Sequence, residues 1–190
     1  MRDIPNLITL LRIAIVPSVC VAILQQSYGL ALLLFGLAGI SDALDGYIAK
    51  RFDLITRLGS ILDPLADKLL LVSTFVTLAW MALLPTWLVA VVVGRDVLIV
   101  CGALAYHTLI ARYEMEPTLV SKANTLFQIV LGLAVVVDAW RYPLPDDLLH
   151  GLTYMVFAVT LLSGADYVYS WGTRAVAERE RRRRQRRGQD

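Results

Sequence analysis

Four aspartates, Asp42, Asp45, Asp63 and Asp67, gather at the junction of two long apolar stretches. They read Asp42-Ala-Leu-Asp45-Gly46-Tyr-Ile-Ala49-Lys50, then eight residues, then Gly59-Ser-Ile-Leu-Asp63-Pro-Leu-Ala-Asp67. Carboxylates beside hydrocarbon are costly. Brought together without a cation, four of them repel, and some must take up protons. One divalent ion, or two, removes that conflict. Oxygen donors with no His or Cys among them suit Mg²⁺ or Mn²⁺ better than zinc. Mg²⁺ is commonly held by a few carboxylates together with substrate phosphates, so the pattern points to metal-assisted chemistry on a phosphate at a membrane surface. Gly46, Ala49 and Gly59 leave room for close approach of backbone and ligand. Lys50, Arg51 and Arg57 supply positive charge for an anionic ligand.

Helices must position these groups. Asp42 and Asp45 are spaced i, i+3, and Asp63 and Asp67 i, i+4, so each pair falls on one helical face. A short polar connection between the pairs makes their helices antiparallel neighbours. The plainer alternative is helix capping. Asp63 before Pro64 would be a good N-cap, but capping does not account for all four at this spacing.

The 190 residues are 57% hydrophobic, and apolar runs recur from end to end. A run of roughly 20 such residues crosses a bilayer. The sequence predicts six spans, at Leu7–Leu24, Leu30–Ala49, Pro64–Leu83, Trp87–Leu109, Ser121–Trp140 and Leu148–Trp171. They are predicted as helices, because an open sheet cannot satisfy its backbone in lipid and the alternation of a membrane barrel is missing. Pro85, Pro143 and Pro145 mark connections, as does the polar stretch at Glu114-Met-Glu116-Pro117. Basic residues avoid the links at Gln25–Gly29 and Leu84–Thr86, and collect on the other side as Arg2, Lys50, Arg51, Arg57, Lys68, Arg112, Lys122 and an arginine-rich tail. The excess of positive charge on one side puts both termini and the acidic cluster on the cytoplasmic side. Residues 1–175 are expected to form one six-helix membrane domain. Residues 176–190 are expected to be a disordered basic arm near anionic lipid. The arm has no aromatic residues to stack bases, so nucleic acid is not an expected partner. Cys20 and Cys101 lack metal-ligand spacing and read as small hydrophobes. Arg12 interrupts the first apolar run and no cleavage-site pattern follows it, so the N-terminal segment is expected to be retained.

Asp42-x-x-Asp45-Gly46-x-x-Ala49-Lys50, eight residues, Gly59-x-x-x-Asp63-x-x-x-Asp67 resembles the signature of the CDP-alcohol phosphatidyltransferases. One departure is Lys50, where that family usually has Arg; lysine keeps the charge and loses the bidentate fork. The resemblance implies a six-helix membrane fold, a homodimer, and transfer of the phosphatidyl group of CDP-diacylglycerol to an alcohol with release of CMP. It implies two divalent ions held by Asp42, Asp45, Asp63 and Asp67, with Asp67 also the general base for the acceptor hydroxyl. Gly46, Ala49, Lys50 and Gly59 would line the CDP site.

Ile4-Pro5-Asn6-Leu7-Ile8-Thr9-Leu-Leu-Arg12 resembles an N-terminal motif shared by phosphatidylglycerophosphate synthases and CMP-forming cardiolipin synthases; Asn6, Thr9 and Arg12 would reach the diphosphate, or simply begin an interfacial helix. Gly94-Arg95-Asp96, inside the fourth span, must face the interior. Arg95 is a candidate contact for an acceptor phosphate, or half of a structural ion pair. Lys122 is a second acceptor candidate, or a plain anchor for its helix. Asp96 and Asn124 resemble the cardiolipin synthases more closely, so phosphatidylglycerol is the expected acceptor, with glycerol 3-phosphate the alternative. Asp166 and Tyr169 are further polar points in the last span, read as interior packing or acceptor site. The expected location is a bacterial inner membrane with the active site facing the cytoplasm. A cation transporter is the rival outside enzymology. Transport predicts ionisable groups spread through the bilayer depth, whereas these gather near one face.

Overall fold

The computed structural model describes residues 4–51, 59–109 and 118–187; side chains are described for 12–41, 65–102, 118–170 and Thr173. Its described residues form six helices: α1 (Ile4–Leu24), α2 (Tyr28–Arg51), α3 (Gly59–Trp80), α4 (Thr86–Leu109), α5 (Leu119–Trp140) and α6 (Asp146–Arg187). Each predicted span corresponds to one of them. The segments around Arg57 and Glu114–Pro117 lie outside the described residues.

The sequence places each helix end. α1 closes on a Schellman turn, in which the Ser27 amide donates to Ala22 O at 2.8 Å and the Gln26 amide to Ile23 O at 2.9 Å. α3 closes the same way, with the Leu83 amide on Leu78 O and the Ala82 amide on Ala79 O. Pro85 O takes the Leu88 amide and Pro145 O the Leu148 amide, so both prolines sit just ahead of a helix they could not join further in. Thr118 caps α5 through its side chain, accepting from the Ser121 amide at 3.3 Å. Asp138 Oδ1 accepts from the Leu144 amide at 2.8 Å and pins the Pro143-Leu144-Pro145 link.

The chain divides into two compact units, Met1–Val89 with Gln128–His150, and Ala90–Phe127 with Gly151–Asp190. In the first, α1 packs on both α2 and α3. Its core includes Val19, Ile23, Phe75, Leu78, Leu88 and Leu131, all at or near zero exposure. In the second, α6 buries Thr153, Val156, Thr160, Ser163 and Tyr167, which recur every three or four residues. That is one stripe of a helix. The sequence reading treated this whole region as one domain.

Two described stretches, Leu119–Trp140 and Asp146–Ser170, are long and apolar enough to cross a membrane. The apolar stretches Arg12–Leu24 and Tyr28–Ser41 are shorter. Both shorter stretches end where the described side chains end, so the expected count of six is neither met nor overturned by them. The outward faces remain hydrophobic, with Leu33, Leu37 and Ile40 exposed on α2 and Leu161, Leu162 and Val168 on α6. That is how a helix facing lipid looks. α6 also departs from the expected disordered arm, since the helix runs on to Arg187. The segment Ala175–Arg187 contains Ala, Glu, Gln and Arg with no Gly or Pro, all strong helix formers apart from Val176. Glu178 and Glu180 precede Arg182 and Arg184 by four residues, the favourable order for a helix.

Candidate active site

Asp42 and Asp45 lie well inside α2, more than a turn before its end at Arg51. Asp63 and Asp67 fall on successive turns of α3, which begins at Gly59. The capping alternative for Asp63 therefore fails, because the helix starts a full turn ahead of it. The side chains of Asp42, Asp45 and Asp63 lie outside the described residues, as do those of Asn6, Thr9, Ala49 and Lys50 and the surroundings of Gly46 and Gly59. Their positions on α1, α2 and α3 are all that the structure gives.

Arg12 and Asp67 are described, and they meet. Arg12 Nη1 donates to Asp67 Oδ1 at 2.7 Å. Arg12 is 1% exposed, while the Asp67 side chain keeps 44%. α1 thus delivers a cation from the buried side to a carboxylate that remains open on the other. A charge-assisted contact of this length fixes both partners. Leaving Arg12 buried without it would be strongly unfavourable. Arg12, expected to reach the diphosphate or simply to begin an interfacial helix, is bound here to an aspartate of the cluster.

Among the described residues no three His, Cys, Asp or Glu side chains stand together. The chemistry of the donors nevertheless suits a hard divalent cation. The candidates are oxygen ligands only, and Asp67 stays accessible after pairing with Arg12.

The second unit builds a separate polar cluster around Arg95. It is 8% exposed, donating from Nη1 to Asp96 Oδ1 at 2.7 Å and from Nη2 to Ser121 Oγ at 2.7 Å and to Ser163 Oγ. The Tyr167 ring lies 5.6 Å from the guanidinium carbon. One helical turn along α5, Asn124 Oδ1 accepts from Thr160 Oγ1 at 2.8 Å. Lys122, on the same helix, is exposed. Of the two acceptor candidates, only Arg95 is held in a buried network.

A sequence profile of the CDP-alcohol phosphatidyltransferases matches residues 2–166. The chain belongs to that family. It is 37% identical over 182 residues to the probable cardiolipin synthase (CMP-forming) of Drosophila melanogaster, over 87% of this chain and 56% of that protein. It is 32% identical over 189 residues to the cardiolipin synthase (CMP-forming) of Rattus norvegicus, over 91% of this chain and 62% of that one. It is also 30% identical over 183 residues to the chloroplastic CDP-diacylglycerol–glycerol-3-phosphate 3-phosphatidyltransferase 1 of Oryza sativa subsp. japonica, over 87% of this chain and 56% of that protein. The chain thus spans less than two thirds of the length of each.

Within this member of the family, the sequence reading missed Ser121, Thr160, Ser163 and Tyr167. Asp166 and Tyr169 drew attention on α6 because they are the conspicuous polar residues there. Tyr169 is 74% exposed, while Tyr167 is buried against Arg95. The available signal was periodic: Thr160, Ser163 and Tyr167 share one face at helical spacing.

Proposed function

We propose that this chain is the catalytic part of a CDP-alcohol phosphatidyltransferase that moves the phosphatidyl group of CDP-diacylglycerol to phosphatidylglycerol, giving cardiolipin and CMP. Asp42, Asp45, Asp63 and Asp67 would hold two divalent ions, Mg²⁺ or Mn²⁺. Bound there, the ions would neutralise charge developing on the diphosphate. Asp67 takes the proton of the acceptor hydroxyl. The hydroxyl oxygen then attacks the phosphorus bearing the diacylglycerol, and the bond from that phosphorus to the CMP oxygen breaks. Arg12 orients the Asp67 carboxylate and offsets its charge. Asn6, Thr9, Arg12, Gly46, Ala49, Lys50 and Gly59 contact the CDP portion. Arg95 and Lys122 serve the acceptor. Most of the rate enhancement is positioning and electrostatics, as in other phosphoryl transfers.

The observation that carries this reading is the full aspartate spacing, set inside two helices of a family member rather than at their ends. Two relatives named as CMP-forming cardiolipin synthases favour phosphatidylglycerol as acceptor. The rice glycerol-3-phosphate transferase keeps glycerol 3-phosphate as the second reading. We place the enzyme as a homodimer with six spans, and with both termini and the aspartates on the nucleotide-bearing face of an inner membrane. The two named cardiolipin synthase relatives are animal proteins, so an organellar inner membrane stands beside a bacterial one with the same sidedness.

The test is CMP release by purified protein given CDP-diacylglycerol, Mg²⁺ or Mn²⁺, and each acceptor in turn. Release with phosphatidylglycerol is expected, with a loss of at least about a thousandfold in Asp67→Asn, in line with removing a general base and a metal ligand together. The amide still accepts from Arg12, so the variant should fold. Release with glycerol 3-phosphate alone would reverse the choice of acceptor.

A further inference from the structure

The end of the first unit remote from Asp67 gathers large aromatic side chains. Arg12 meets Asp67, and seven residues further along each helix Val19 and Thr74 line one cavity, so α1 and α3 run the same way. Ala31 of α2 and Val136 of α5 line that cavity too. The close of α1, the start of α2 and the ends of α3 and α5 therefore lie together. Trp80 closes α3, and Trp87 opens α4 just across the turn at Ala82. Trp140 closes α5, and Gly29 at the start of α2 stands against its ring, where a Cβ would come within 2.9 Å of Cε2. Tyr142 packs edge-on to Trp140, with ring centroids 6.2 Å apart.

Water alone is a poor neighbour for these groups. Trp80 is 83% exposed, and Trp87, Trp140 and Tyr142 are exposed as well. Exposed polar residues stand just outside them, Gln25 and Gln26 on one link and Arg141, Asp146 and Asp147 at another. On the inner side, no charged residue occurs from Ile13 to Leu24, from Tyr28 to Ser41 or from Leu69 to Trp80. An apolar ring with one N–H or O–H fits the boundary between two such zones, the glycerol and carbonyl layer of a bilayer, better than it fits water or hydrocarbon. We propose that Trp80, Trp87, Trp140 and Tyr142 form an interfacial anchor that engages the headgroup–acyl boundary of the leaflet remote from the aspartates. Thirteen residues of α3, about 20 Å at 1.5 Å per residue, separate Trp80 from Asp67. The anchor thus sets the depth at which Asp67 is held. This goes beyond the transferase reading; it requires a membrane and no reaction.

The full chain is reconstituted in phosphatidylcholine bilayers that carry bromine either near the chain carbonyls or near the chain ends. Three variants each keep one of Trp80, Trp87 and Trp140 and have Phe at the other three tryptophans. Each retained indole should be quenched more by the shallow bromines, at a depth about 15 Å from the bilayer centre. The three depths should agree to within one helical turn, about 5 Å. In longer-chain lipids each indole should move outward by about half the added thickness, because it follows the interface. Where a variant does not fold, replacing that one tryptophan in the native chain and reading the quenching that is lost gives the same depth. Strongest quenching by the chain-end bromines, quenching by aqueous acrylamide alone, or shielding from both lipid and water would overturn the inference. So would a depth that stays fixed from the centre as the bilayer thickens. An inactive protein with all three indoles at the interface supports the anchor while failing the transferase; an active one with an indole in the hydrocarbon does the reverse.

Discussion

Arg12 and Asp67 are 55 residues apart in sequence and 2.7 Å apart in space. The aspartate quartet was legible because its logic is local: four like charges at helical spacing demand a counter-ion. The partner of Asp67 was not legible, since nothing local in α1 says which carboxylate a buried arginine will meet. The same holds for Arg95, whose interior position could be read from its place in an apolar run, but whose partners come from α5 and α6. Arg12→Lys should keep the charge and lose the guanidinium geometry. We expect kcat to fall about tenfold to a hundredfold while the thermal midpoint moves little, read by CMP release and by melting in detergent. Asp96→Ala leaves Arg95 buried beside neutral hydroxyls only, apart from the face of Tyr167. About 3 kcal/mol of stability should be lost, measured by denaturation in mixed micelles. A change under about 1 kcal/mol would show that Ser121, Ser163 and Tyr167 satisfy Arg95 without it.

The helices were legible as elements because apolar runs and prolines set their limits to within a few residues, except at the end of α6, which runs on to Arg187 past the apolar run. The strained ends were not. Gln26 and Ala82 both stand at φ 58° where their helices close. Side chains avoid this left-handed region at a cost of about 1–2 kcal/mol, and glycine is the usual occupant. Both residues are exposed, so no side-chain packing opposes a change. Gln26→Gly and Ala82→Gly should each stabilise the protein by about 1 kcal/mol, seen as a rise in melting temperature. The opposite holds at Gly29. A Cβ there would sit 2.9 Å from Trp140 Cε2, inside contact distance of an indole ring packed edge-on to Tyr142. Gly29→Ala should lose about 1–2 kcal/mol as the ring is displaced. An unchanged melting curve would mean that Trp140, half exposed, swings away freely.

For the molecule as a whole, sequence hydropathy identified a membrane protein more readily than it counted spans. Sidedness can be checked directly. With Cys20 and Cys101 replaced by alanine, single cysteines at Gln26 and Tyr142 should react with a membrane-impermeant maleimide from outside intact cells or vesicles, and one at Thr173 should not. Labelling of Thr173→Cys from outside would invert the proposed orientation.

α6 runs 42 residues without a break. At 1.5 Å per residue it is about 63 Å long, roughly twice the thickness of a hydrocarbon layer. Its arginines are therefore carried on a strut rather than a tether, at a stand-off set by residue count. Removing four residues between Thr173 and Arg179 would draw that charge about 6 Å closer without altering its amount, and deleting two would also rotate it to the other flank of the rod.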